Sequence, residues 1–304
     1  MSIIKPITLF YPSLGSVRDL WFVRLSGAGL GNGFFSYFHA VVLAQKHHGV
    51  VITPPWFALK LGPILRGEKS KRFYWRMFKP YPGEIAGVKK LMALLRGFPS
   101  RHVVEVAYDK ESRVAGGLLN IVHCPKFTFQ GLHEHRDTIR RRLLGIINDT
   151  VPAGHVWGKA PFIAVHVRLG DFRTVRNVEE IRSGVANSRI PLSWYVNVVR
   201  ALRLRYPDMP VRIFSDGRDA ELEAILSLGA SVYRTGSDIL DLLAMASASI
   251  FVGSNNSTYS RWAVLLGNMP SIWLDSESRG EQPSSPDTPI LFIPLETREP
   301  VLWR

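Results

Sequence analysis

From residue 160 to 275, short apolar runs alternate with stretches of helical period. Strands are expected at 162–168 (FIAVHVR), 211–216 (VRIFSD), 231–234 (SVYR), 249–253 (SIFVG) and 270–274 (PSIWL), with helices at about 191–206, 218–229, 238–247 and 257–267 between them. Apolar strands that alternate with helices predict a parallel sheet covered on both faces. Before residue 160 the pattern is looser. A strand at 20–27 (LWFVRLSG), a helix at 32–49 and a strand at 50–53 (VVIT) predict one βαβ unit. The segment 84–98 predicts an amphipathic helix with Ile85, Val88, Leu91, Met92 and Leu95 on one side. A strand at 102–108 and a helix at 134–147 follow. The tail, 275–304, is rich in Pro and Ser and is expected to wrap the surface.

The chain has 304 residues, enough for two domains of about 150 each. The stretch DTVPAGHVWGKAP has linker composition, so the boundary is placed between 155 and 156. Cys124 is the only cysteine, which rules out an intramolecular disulfide and reads as a small core residue in a chain that does not depend on oxidation. The start carries two prolines and makes a poor signal peptide, and no run approaches the roughly 20 apolar residues of a bilayer span. The expected location is the cytoplasm, with peripheral contact at the inner membrane surface.

Charge divides the chain. Residues 1–155 hold 22 Lys and Arg against 9 Asp and Glu, whereas residues 156–304 hold 16 of each, so the net charge of +13 belongs to the first half. Within it, residues 60–101 carry 11 basic and 2 acidic side chains, and 65–81 interleave cations with Phe73, Tyr74, Trp75 and Phe78. Such a region suits an anionic membrane surface or a charged, lipid-linked glycan, and 65–98 is the expected contact. The alternative is an aromatic core under a solubilising coat. A pI near 10.1 also prompts a nucleic-acid reading, but no helix-turn-helix, zinc-finger or RNA-recognition signature accompanies it, and nucleic acid is not an expected partner.

Three strand ends carry residues that a core-filling strand does not need: Arg168-Leu169-Gly170-Asp171, Ser215-Asp216-Gly217, and the loop GSNNSTYS at 253–260. Ligands of doubly wound sheets bind beyond the carboxyl ends of strands, and a helix start near Ser257 and Thr258 favours an anion. Plain capping by serine is the simpler use of that loop. Together with an arginine from a neighbouring strand end, the loop reads as a diphosphate site. The segment SGAGLGNG misses the G-x-G-x-x-G spacing at Asn32 and Phe34, and no D-x-D, P-loop or G-x-S-x-G occurs. The pairs HEH (133–135) and His47-His48 lack metal-ligand spacing. Phosphate would therefore be neutralised by arginine and not by a metal ion.

With these residues in view, the chain resembles the α-1,2-fucosyltransferases. GAGLGNGFFSYFHA is similar to their GGLGNQMFQYA opening, VHVRLGDF to HIRRGDY, and IFSDG to FSDD. DLLAMASASIFVGSNNSTYSRWAVLLG is similar to DLxLMSxCKHNIISNSSFSWWAAWLN. The four motifs keep the family's order over about residues 20–275. The resemblance implies a GT-B-like α/β fold, two Rossmann-like domains facing each other across a cleft. It implies an acceptor-side domain at 1–155 and a GDP-sugar-binding domain at 156–304. It implies GDP-fucose as donor, a glycan hydroxyl as acceptor, and inverting transfer without a metal or other cofactor. By the same resemblance Arg168 grips the β-phosphate, His166 and Asp171 occupy the motif's histidine and aspartate, Asp216 lies on the FSDD stretch, and His166 and Asp216 are counted with Arg168 among the donor-binding residues. Asp241 faces the guanine base; Ser257, Thr258 and Ser260 lie beneath the phosphates; Gly29, Gly31 and Asn32 reach over the donor. Arg168, Asp171 and Asn32 are the catalytic candidates. The departures are Leu169 for the second arginine, Gly33 for glutamine, Gly217 for aspartate and Arg261 for tryptophan. They leave open a different GDP-sugar, or a binding protein without turnover.

Overall fold

The computed structural model describes residues 6–14, 18–25, 29–59, 73–74, 76–106, 113–150, 160–170, 172–185, 187–277, 281 and 283–303. The chain divides into two compact units, Met1–Val151 and Pro152–Arg304. In the first, the strands are β1 (Leu9–Pro12), β2 (Arg18–Asp19), β3 (Arg24–Leu25), β4 (Val50–Val51), β5 (Ala58–Leu59), β6 (His102–Glu105) and β7 (Leu119–His123). In the second they are β8 (Ile163–Val167), β9 (Val211–Ser215), β10 (Ser231–Val232), β11 (Ile250–Val252), β12 (Ser271–Leu274) and β13 (Ile290–Ile293).

The main sheet of the first unit is parallel, in the order β4-β1-β7-β6, and a small sheet β2-β3-β5 stands apart from it. Among the described residues of the strand expected at 20–27, only Arg24–Leu25 forms a strand, because Trp21 adopts a φ of 67° and breaks the extended run; residues 26 and 27 lie outside the described residues. The strand that precedes the helix in the βαβ unit is instead β1, which pairs in parallel with β4 after the helix Leu30–Lys46. Gly49 returns the chain past β1 so closely that a Cβ there would enter the Phe10 ring and the Thr8 carbonyl. Tyr74 and Phe78 of the basic aromatic stretch serve packing. The Tyr74 hydroxyl is buried and accepts the Leu30 N–H at 3.0 Å, and the Phe78 ring lies 4.5 Å from that of Trp56. Residues 65–72 and Trp75 of that stretch lie outside the described residues.

The second unit follows its pattern closely. Its six strands are all parallel, in the order β10-β9-β8-β11-β12-β13. In chain order this is 3-2-1-4-5-6, the doubly wound dinucleotide-fold arrangement. Every residue of β8 is buried, as a central strand covered on both faces must be. Helices Leu192–Arg205, Asp238–Ala246 and Thr258–Gly267 flank the sheet, and the last ends on Asn268 at a φ of 50°. The helix expected over 218–229 is only a 3₁₀ turn at Asp219–Leu222 and a four-residue helix at Glu223–Leu226. The tail does more than wrap: Ile290–Ile293 adds the sixth strand alongside β12. Two parallel α/β units in one chain are the composition of the GT-B-like class.

Candidate functional site

In the order 3-2-1-4-5-6 the strand sequence reverses between the first and fourth strands, here β8 and β11. In sheets of this order helices leave on opposite sides at that point, and ligands bind beyond the carboxyl ends of the two strands. Arg168 is the first residue past β8, and Gly253 the first past β11. Topology alone therefore puts the arginine and the serine-asparagine loop at the place where such sheets hold ligands.

Hydrogen bonds fasten the two strand ends together. The Arg168 N–H donates to Ser254 Oγ at 3.1 Å, and Ser254 Oγ donates to the His166 carbonyl at 2.9 Å. With its single proton committed there, Ser254 accepts from the Tyr195 hydroxyl, 2.9 Å away. One layer below, His166 Nδ1 and Ser260 Oγ share a bond of 2.6 Å, and Ser260 Oγ accepts the Ser254 N–H at 3.2 Å. His166 is buried, and burial first and the Arg168 charge second lower its pKa to about 4. It is therefore neutral at pH 7. It supports the loop from beneath and makes a positioning residue.

Side chains from other elements fix the loop further. The Asn255 carboxamide bridges the end of β12, donating to the Leu274 carbonyl at 2.6 Å and accepting the Leu274 N–H at 3.1 Å. Asn256 donates to the Val185 carbonyl at 2.9 Å, and Arg261 to the Asn255 carbonyl at 2.8 Å. Ser257 is the N-cap of helix Thr258–Gly267 and accepts the Ser260 N–H at 3.3 Å. The positive end of a ten-residue helix thus lies at the carboxyl edge of the sheet, held from several sides.

Asp216, just past β9, is the ion-pair partner of Arg168. It also accepts the N–H groups of Leu169 and Gly170, at 2.9 and 3.0 Å. The Arg168 and Asp216 side chains are 20% and 24% exposed, so both reach solvent. A Cβ on Gly170 would overlap the Asp216 carboxylate, which explains the glycine. Leu169 and Gly217 also belong together: a Cβ at 217 would enter the Leu169 side chain. The two departures from the family motifs are one packing event, an apolar side chain seated on a glycine.

Asp241 stands on the next helix. Its carboxylate accepts the Thr235 N–H at 2.9 Å and the Thr235 hydroxyl at 2.7 Å, and burial raises its pKa against those bonds. It closes the turn before helix Asp238–Ala246. The Tyr259 hydroxyl bonds the Asp238 carbonyl, and its ring lies 5.6 Å from that of His166, so this helix start adjoins the loop. Gly29, Gly31 and Asn32 lie in the first unit. Gly29 caps helix Leu30–Lys46 with extended backbone, and Gly31 and Asn32 are in its first turn. Asp171 lies outside the described residues.

The structure thus brings together His166, Arg168, Asp216, Ser257 and Ser260, with Thr258 at the helix start. Ser254 and Tyr195 are members the sequence reading missed. The signal for Ser254 was available in the same loop, but nothing local marks Tyr195, which arrives from helix Leu192–Arg205. Among the described residues, no three His, Cys, Asp or Glu side chains gather as metal ligands.

No protein-family model matches the chain, and no curated protein matches its sequence. Solved structures do. POFUT1 in complex with GDP has a TM-score of 0.47 at 12% identity, over 98% of this chain and 100% of that one. The fucosyltransferase NodZ from Bradyrhizobium has a TM-score of 0.40 at 12% identity, over 88% and 95%. The ADP-heptose lipopolysaccharide heptosyltransferase II of E. coli has a TM-score of 0.40 at 12% identity, over 93% and 90%.

Proposed function

We propose that this protein is a glycosyltransferase that transfers fucose from GDP-fucose to a glycan hydroxyl, in an α-1,2 linkage, with inversion at the anomeric carbon and without a metal ion. The observation that carries the reading is the union of Arg168 with a capped helix start at the switch point of a 3-2-1-4-5-6 sheet. That combination matches a diphosphate: two anionic groups, one for a guanidinium fork and one for a helix N-terminus. The ordered motif resemblance to the α-1,2-fucosyltransferases supplies the guanosine and the fucose.

In the reaction the acceptor oxygen attacks the anomeric carbon while the bond to the β-phosphate oxygen breaks. The electron pair leaves with GDP, and the hydroxyl proton is released. Negative charge grows on the leaving oxygen, so a fixed cation there stabilises the transition state more than the ground state. Arg168 serves as that cation. Its main chain is already anchored to Ser254, while its guanidinium exchanges Asp216 for the phosphate. Ser257 and Thr258 present the helix start to the second phosphate charge. By the same resemblance, Asp171 and Asn32 are the candidates for taking that proton. Asp241 is the proposed contact to the guanine base.

The test is release of GDP from GDP-fucose and from GDP-mannose, with and without an array of glycans. Acceptor-dependent release from GDP-fucose supports the reading. Release only from GDP-mannose moves the donor, and binding without release in every case leaves a binding protein.

A further inference from the structure

Helix Gly87–Gly97 is turned outward relative to its sequence pattern. The apolar stripe of an amphipathic helix ordinarily faces a core. Here the buried side chains are Lys90 and Leu94, whereas Val88, Met92 and Leu95 are 73%, 43% and 56% exposed. The reason lies in the packed face. Gly97 sits so close to Leu119 of β7 that a Cβ there would lie 2.8 Å from the Leu119 Cβ. Lys90 lays its stem on the unit, with its amine 5.5 Å from the Tyr11 ring and 5.3 Å from that of Phe22. Close approach through small and long-stemmed residues leaves the branched and thioether side chains outside.

Val88, Met92 and Leu95 are spaced i, i+4, i+7 and form one stripe. Phe98 extends it beyond the helix, with the Arg101 guanidinium 4.0 Å from its ring centroid. At about 100° per residue, Lys89 and Arg96 share one flank of the stripe. No Asp or Glu occurs between Glu84 and Glu105, so no acidic side chain within the segment offsets these cations. An apolar stripe alone would suit a protein or a second copy of the chain. An apolar stripe edged by cations, on the half of the chain that carries the whole +13, matches a negatively charged bilayer.

We propose that helix Gly87–Gly97 docks the protein on anionic lipid, with Val88, Met92, Leu95 and Phe98 entering the boundary between headgroups and acyl chains and Lys89, Arg96 and Arg101 meeting the headgroup phosphates. The experiment is cosedimentation of the full chain with vesicles of phosphatidylcholine alone and of phosphatidylcholine mixed with phosphatidylglycerol, at low and high salt. The wild type binds the mixed vesicles and not the neutral ones. Val88→Ser/Met92→Ser/Leu95→Ser melts within several degrees of the wild type, because these side chains are largely exposed and serine is only a somewhat weaker helix former, and it binds the mixed vesicles at least about tenfold more weakly. Lys89→Glu/Arg96→Glu, which keeps the stripe, also binds more weakly and depends less on salt. Two results overturn the proposal. One is a triple variant that binds like wild type, since the charge of the first half would then act without the helix. The other is a wild-type dimer that ignores vesicles and that the triple variant dissociates.

Discussion

Arg168 and Asp216 leave adjacent parallel strands and meet as an ion pair at the carboxyl edge of the sheet. The aspartate therefore occupies the guanidinium that a phosphate would need, while its other oxygen holds the Leu169 and Gly170 N–H groups. Asp216→Asn separates these duties, because the amide oxygen still accepts both N–H groups and the competing charge is gone. GDP binding measured by calorimetry should tighten by about three- to tenfold. Weaker binding would mean that the carboxylate itself contacts the ligand.

Arg168→Ala should lower turnover of the sugar donor by about 10²–10³. The fold should persist, because the Asp216 left behind reaches solvent. A melting temperature within a few degrees of wild type, together with lost turnover, separates chemistry from folding. Arg168→Lys keeps the charge without the fork and should recover only part of the rate.

Leu169 and Gly217 should be energetically coupled. Gly217→Ala drives a methyl into the Leu169 side chain and should cost about 1–3 kcal/mol of stability. Leu169→Ala removes a buried side chain and should cost about 2–5 kcal/mol. The double variant should be more stable than the sum of the two predicts, by about 1 kcal/mol, because the new methyl then has room. Additive losses in urea unfolding would show that the two positions do not share a contact.

Two histidines set an acid limit. His39 donates from Nε2 to the Thr128 carbonyl at 2.9 Å, and burial lowers its pKa to about 4, as it does for His166. The unfolded chain binds these protons from about pH 6.5 downward and the folded chain only near pH 4. Stability is thus complete above pH 6.5 and falls between 6.5 and 4. Each histidine should remove about 2 kcal/mol by pH 5. Unfolding in urea at pH 7 and pH 5 measures the loss, and His39→Gln should roughly halve it.

Much of the second unit was legible because its signals agree. Apolar runs of strand length, helical spacing between them, and polar residues at the strand ends all point to one sheet. The same strand ends, read at 168, 216 and 253–260, became the candidate site. Less of the first unit could be read. β1 is four residues long and ends on Pro12, so it carries little periodic signal, although it lies between two partners in the sheet. The apolar run at 20–27 looked more like a strand, but a left-handed Trp21 interrupts it. Pattern also gives no warning that helix Gly87–Gly97 packs through Lys90 and Gly97. Contacts between distant residues, such as Tyr195 with Ser254 or Gly217 with Leu169, depend on which strands become neighbours.

The most direct test compares GDP with GMP. With the β-phosphate on Arg168, calorimetry should show wild-type protein binding GDP about 10- to 100-fold more tightly than GMP without added metal. In Arg168→Ala that preference should nearly vanish while GMP affinity stays the same. An unchanged preference for GDP in the variant would contradict the account.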